Sequence, residues 1–226
     1  MNEPATKRAI AYIDGQNLFN AAKEAFGYPY PNYKVSDLVS SICAAQGWSL
    51  SAIHFYTGIP DPAIDPDRNH FWVTKLGVMG SRGVQTFSRP LRYSNQLVTL
   101  PNGSITTTLV GREKGIDIRL ALDVVRDALN KRYDVAIIFS QDQDLSEATN
   151  EIRSISRQQQ RWIKVACAFP FSPTLQNKRG INGTDWIKID RATYDACIDP
   201  NDYRPKKKLA KNAPSTKAHG KKKGAR

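Results

Sequence analysis

The chain has 226 residues, 40% of them hydrophobic and 24% charged. No apolar run comes near the about 20 residues that cross a bilayer, and the apolar stretch before Asp14 is too short for a secretory leader, so the expected place is the cytoplasm, or the nucleus in a eukaryotic host. The net charge is +12, but the ten Lys/Arg between Arg204 and Arg226, where no acid stands, leave 23 basic against 21 acidic groups in residues 1–203. The excess therefore belongs to a tail and not to the body.

In chain order, Arg8 to Ile13 reads as a short buried strand that ends in Asp14-Gly15-Gln16-Asn17, with a helix following through Phe26. Pro29 and Pro31 mark a loop. Val35 to Gln46 reads as a second helix closed by Gly47, and Ala52 to Thr57 as a second strand. Ile59 to Asp67 is a loop on that strand's carboxyl side, Arg68 to Gly80 a third helix, and Gly83 to Phe87 another strand. The texture then changes. Leu91 to Leu100 and Ser104 to Val110 are rich in Thr, Val, Leu and Ile and flank Pro101-Asn102-Gly103, a strong hairpin signal. This hairpin, about residues 89–112, reads as an insertion into a βα repeat. Arg82, Arg89, Arg92, Arg112 and Lys114 make it basic, with Phe87 and Tyr93 interleaved, so it is a candidate wall for nucleic acid, or else an edge protected by solvated arginines. It has two further uses open to it, closing over a substrate or meeting a second copy of the chain as a homodimer.

Ile116 to Asn130 is the clearest helix. Asp117 lies in its first turn beside the apolar Leu120, Ala121 and Val124, whereas Asp123 has Arg119, Arg126 and Asp127 as helical neighbours and reads as part of an exposed ion pair. Tyr133 to Phe139 is a buried strand running into Ser140-Gln141-Asp142-Gln143-Asp144, with a helix expected from about Leu145 to Gln159. Asp144, followed three residues later by Glu147, fits a helix cap; Asp142 precedes that cap position and has no such structural role. A strand from Trp162 to Phe169, a short helix near Thr174–Lys178 and a strand from Trp186 to Ile189 complete the body, 1–203. The tail, 204–226, is lysine-rich and nearly free of apolar residues. It reads as disordered, with Lys206, Lys207, Lys208, Lys221, Lys222 and Lys223 able to contact phosphates without sequence preference. Cys43, Cys167 and Cys197 are too far apart for a metal or disulfide framework and read as small buried thiols.

Strands alternating with helices predict a three-layer α/β/α sandwich with a mostly parallel sheet. Asp14, Asp142 and Asp144 then lie at the carboxyl rim of that sheet, where open α/β folds bind ligands. Carboxylates gathered there repel, so they take up protons or hold a cation. An all-oxygen set without His or Cys suits a hard ion, Mg²⁺ or Mn²⁺, which activates water for phosphodiester hydrolysis.

Tyr12-Ile13-Asp14-Gly15-Gln16-Asn17, Lys114-Gly115-Ile116-Asp117 with Asp123 six residues on, and Ser140-Gln141-Asp142-Gln143-Asp144 resemble the successive motifs of the NYN domain family, within the PIN-like nuclease group. The resemblance covers about residues 8 to 190, with Asp185 to Ile189 similar to the family's last strand. It implies a PIN-like, Rossmann-like fold and metal-dependent cleavage of RNA, single-stranded or structured, with DNA left open. Carried over by position, Asp14, Asp117, Asp142 and Asp144 hold or orient the metal, Asn17 hydrogen-bonds near metal or phosphate, Ser140 supports the turn, Lys114 faces phosphate, and Asp123 matches a recurring acid. The family often has Gly where Gln143 stands. Two other readings compete: a PIN-like module that binds RNA without cutting it, and a Mg²⁺-dependent phosphohydrolase of small molecules. The second wants an Asp nucleophile with another Asp two residues later, which Asp14-Gly15-Gln16 lacks.

Overall fold

The computed structural model describes residues 1–205. In chain order its elements are β1 (Lys7–Asp14), α1 (Gly15–Phe26), α2 (Val35–Gln46), β2 (Trp48–Ile59), α3 (Pro66–Ser81), β3 (Gln85–Pro90), β4 (Arg92–Thr99), β5 (Ile105–Arg112), α4 (Ile116–Leu129), β6 (Val135–Phe139), α5 (Ser146–Gln158), β7 (Lys164–Pro170), β8 (Asp185–Ile189) and α6 (Arg191–Asp195). Six strands form one sheet in the order β3-β2-β1-β6-β7-β8, and every pair in it is parallel. β4 and β5 form a separate antiparallel hairpin that leaves β3 and returns to α4.

Alternation along β1 divides the two cores. Ala9, Ala11 and Ile13 pack with α1, α2 and α3 on one face; Ile10 and Tyr12 pack with α4 and α5 on the other. The result is an α/β/α sandwich with the hairpin outside it. The chain moves outward from β1 through β2 to β3, then crosses back and moves the other way through β6, β7 and β8. The point where the direction reverses lies between β1 and β6, where such sheets open a crevice beyond their strand ends. In register, Ile13 pairs with Phe139, so the residues after each strand emerge side by side.

Gly15 makes the first turn possible. A Cβ there would sit 2.5 Å from the Phe55 ring and 3.0 Å from the Tyr56 carbonyl oxygen, so only glycine lets α1 start this close to β2. The C-terminal segment folds back over α3 through Lys75, which is buried. Its ammonium donates to the Tyr33 carbonyl at 2.8 Å and lies 5.1 Å from the Tyr203 ring centroid.

Two expectations fail locally. Thr174–Lys178 is not helical: its backbone makes one turn, with Leu175 N–H donating to Ser172 O. α6, not expected, is short but capped: Asp190 accepts from Thr193 N–H and Tyr194 is buried beneath it. The three cysteines are buried thiols. Among the described residues no helix is long and apolar enough to cross a membrane. Lys206, Lys207, Lys208, Lys221, Lys222 and Lys223 lie outside the described residues.

Candidate active site

Asp14 ends β1 and is 8% exposed. Its Oδ1 accepts from Asn17 N–H at 2.9 Å, so it caps α1. Asn17 in turn uses its side-chain oxygen to accept from Gln141 N–H at 2.9 Å, which ties the first turn of α1 to the loop after β6. In that loop, buried Ser140 accepts from Asp142 N–H through Oγ at 3.2 Å.

The loop corrects the expected division between its two acids. A 3-10 turn, Gln143–Leu145, stands between β6 and α5, and Asp142 is its cap, accepting from Asp144 N–H at 3.0 Å. Asp142 therefore has the structural role assigned to Asp144. Asp144 is exposed, and its side chain makes no hydrogen bond among the described residues. Gln143 fixes the turn from outside. Its amide donates to Gly180 O at 3.0 Å and accepts from Asn182 N–H at 3.1 Å, holding the loop before β8 in place.

Asp117 reaches the same rim from another element. α4 runs antiparallel to the strands on its way to β6, so its N-terminus lies at their carboxyl end. Asp117 is half-buried in the first turn, with no hydrogen-bond or ion-pair partner among the described residues. A further acid was not singled out from sequence. Glu113, just before α4, accepts from Gly58 N–H and from Thr57 Oγ1 at the end of β2. Gly58 is needed for this approach, since a Cβ would lie 2.7 Å from Glu113 Cγ. The usable signal was its isolation, as the one acid among the basic residues of the hairpin region.

These groups sense one another. Asp14 is pushed up to about 6, by burial first and then by the charges of Asp142 and Asp117, against the N–H groups of Asn17 and Gln16 that pull it down. Glu113 is likewise pushed up to about 7, by burial first and then by Asp14 and Asp117, with Gly58 N–H and the Thr57 hydroxyl opposing the rise. Acids from β1, the loop after β6, the start of α4 and the segment before α4 thus share one electrostatic environment.

Asp123 does not belong to it. It is buried, not exposed: on the sheet side of α4 it accepts from Arg119 Nε at 2.9 Å and from the Tyr56 hydroxyl at 3.0 Å, and pairs with Arg126 at 2.8 Å. Asp127, wholly buried, accepts from the Tyr12 hydroxyl at 2.8 Å and from Arg132 at 3.1 Å. The helical period carries both acids inward, and tyrosines on β1 and β2, arginines on α4 and Arg132 just after it satisfy them. His54 lies 4.0 Å from Asp127 with Nε2 unpartnered, and burial lowers its pKa.

The basic residues divide by topology. Arg89, Arg92, Arg112 and Lys114 are exposed near the hairpin base, none in a salt bridge among the described residues. Arg92 and Arg112 stand opposite each other in register, an arrangement that like charges disfavour unless an anion sits between them. Arg89 stacks on Phe87 at 5.4 Å and reaches Gly115 at the start of α4. Arg82 is elsewhere. It follows α3 at the end that feeds into β3, opposite the acidic rim.

The donor set suits a hard cation. Asp14, Asp117 and Asp142 offer only oxygens, and burial, with the smaller repulsion from Asp142 and Asp117, disfavours the Asp14 anion, a cost that a divalent ion would offset. The expected four-aspartate ligand set is not assembled: among the described residues no three carboxylate, imidazole or thiol groups are spaced to enclose one ion. Asp144 is exposed.

A family model described as the NYN domain matches residues 8–169. The match ends in β7, so the resemblance expected for Asp185 to Ile189 lies outside it. Among solved structures, a protein of unknown function from Vibrio parahaemolyticus is 20% identical over 84% of this chain and 98% of that one, with a TM-score of 0.50, which speaks for a shared fold. A ribokinase from Giardia lamblia, 8% identical over 76% of this chain and 53% of that one, has a TM-score of only 0.35, and nothing rests on it. No curated protein matches.

Proposed function

The chain belongs to the NYN domain family, within the PIN-like nuclease group, and from that membership we propose that it is a ribonuclease that hydrolyses RNA phosphodiester bonds at the rim between β1 and β6. The observation that carries the reading is Asp14: a buried carboxylate at the switch point, pushed up to about 6 with acids from two other elements contributing. Burying a carboxylate beside other carboxylates costs stability, and a fold keeps such an arrangement where chemistry uses it.

In this reading Asp14, Asp117 and Asp142 would hold Mg²⁺ or Mn²⁺, which when bound would supply Lewis acidity and neutralise phosphate charge. Asp117, with no other partner among the described residues, is the acid freest to turn toward substrate or ion. Asn17 is a positioning residue, because its bond to Gln141 N–H sets how α1 faces the loop that carries Asp142. Glu113 is the candidate for holding a proton near neutral pH, since burial beside the same rim, with Asp14 and Asp117 nearby, pushes it up to about 7. Lys114 and the unpaired arginines at the hairpin base suit the backbone phosphates on either side.

The test is incubation of the full chain with end-labelled single-stranded RNA and Mg²⁺ or Mn²⁺, with chelator and Asp142→Asn as controls. Cleavage that stops in both controls supports the reading; cleavage that survives both marks a contaminant. Because no three acids are yet spaced to enclose an ion, a second reading is kept, that the domain binds RNA without cutting it. RNA binding with no cleavage in wild type decides for that one.

A further inference from the structure

Beside the acidic rim lies a cleft of about 880 Å³, within the roughly 300–1,000 Å³ typical of small-molecule sites. Its walls are α1, the loop with Pro29 and Pro31, the start of α3 and the base of the hairpin. Of the rim acids Glu113 lines it, whereas Asp14, Asp117 and Asp142 do not, so the cleft adjoins the proposed site of hydrolysis through Glu113. We infer that this cleft receives a nucleobase of the RNA strand, next to the phosphodiester being cut, an inference that rests on the ribonuclease reading.

Three features select a base over a phosphate or an apolar ligand. The first is charge. Lys23, Arg68 and Arg204 line the cleft together with Asp67, Asp202 and Glu113, a balanced set in which Arg204 is already paired with Asp202 at 2.6 Å. A phosphate trough would carry a positive excess. The second is flat surface. Phe19 and Tyr30 are half-buried and present rings to the cleft, with Phe71 and Trp72 behind them. The Arg204 guanidinium lies 4.1 Å from the Tyr30 ring centroid, so a planar cation already occupies the kind of place in which a base stacks. The third is edge recognition. Gln16 and Asn20 both line the cleft from α1, four residues apart and so on one helical face, and neither side chain has a hydrogen-bond partner among the described residues. Free amides offer a donor and an acceptor each, which base edges match and an apolar ligand does not.

The fold-back of the C-terminal segment completes the site. Lys75 and Tyr203 hold that segment against α3, and Arg204 and Pro205 form part of the cleft wall.

The test compares the affinity of the full chain, in chelator so that nothing is cut, for labelled oligouridine and for an abasic strand of equal length. Wild type is expected to prefer the base-bearing strand about ten-fold. Tyr30→Ala is expected to lose most of that preference while still binding the abasic strand as wild type does, and Tyr30→Phe to keep it. Phe19→Ala, on a different element, is a second variant should Tyr30→Ala fail to fold. An equal preference in wild type and in the alanine variants overturns the inference, as does a wild type with no preference. The cleavage assay is read separately. A chain that cuts RNA but shows no Tyr30-dependent preference keeps the ribonuclease reading and loses the cleft; one that shows the preference but does not cut does the reverse.

Discussion

Asp14→Asn should make the protein more stable at neutral pH while removing a group proposed to act in catalysis. The wild-type carboxylate caps α1 through Oδ1, and an asparagine oxygen accepts the same Asn17 N–H. What the substitution removes is a buried charge among other acids. The gap between about 6 and the ordinary 3.8 corresponds to about 3 kcal/mol at neutral pH. Against this, the anion's attraction to the helix N-terminus, about 0.3–1 kcal/mol, is lost. The net expectation is a gain of about 2 kcal/mol at pH 7.5, or about 4–8 °C in Tm for a chain of this size. The sign follows from linkage. A carboxyl whose folded pKa is raised contributes its full stability below 3.8 and loses it as pH rises through about 6. The variant's advantage should therefore be small at pH 4 and grow across the window up to pH 7. Urea and thermal unfolding of both proteins in chelator, at several pH values, measures it. A variant less stable than wild type at pH 7.5, or a difference that does not change with pH, refutes the reasoning.

Asp127→Ala should cost about 3–5 kcal/mol by thermal unfolding, because it leaves the Tyr12 hydroxyl and Arg132 without their buried partner. Mg²⁺ or Mn²⁺ at about 100 times its dissociation constant should stabilise wild type by about 2.7 kcal/mol and Asp117→Asn by much less, read as a shift in Tm with and without chelator. Removing residues 206–226, with their nine Lys/Arg, should weaken RNA binding at low salt and flatten its salt dependence while leaving the single-turnover cleavage rate largely intact.

Much of this was legible in the sequence, and the failures have physical causes. The run from Val135 to Phe139 is apolar because both its faces are covered, which marks β6 and places Ser140 and Asp142 at its end. Asp14 follows β1 for the same reason. The exchange of roles between Asp142 and Asp144 turned on two or three residues: a 3-10 turn inserted before α5 moved the cap upstream, and cap chemistry alone does not show such an insertion. Asp123 misled because its helical neighbours are charged, yet Ile116, Leu120, Asp123, Val124 and Asp127 form one regular buried stripe. The nearby arginines signalled the ion pairs, but the hydroxyls of Tyr12 and Tyr56 that let these acids be buried are distant in sequence, so nothing local signals the burial. On the opposite face Ile118 and Leu122 are exposed, which reverses what hydrophobicity suggests. Glu113 was hidden in the same way, since its partners Thr57 and Gly58 are supplied by β2.

The central claim is that the acids on the rim cut RNA, and Asp117 tests it most directly because it has no partner among the described residues to lose. Asp117→Asn should unfold within about 0.5 kcal/mol of wild type. Its single-turnover cleavage of labelled RNA, in saturating Mg²⁺ or Mn²⁺, should fall by about 100-fold or more. A variant that folds as wild type does and cuts at the wild-type rate would contradict the account.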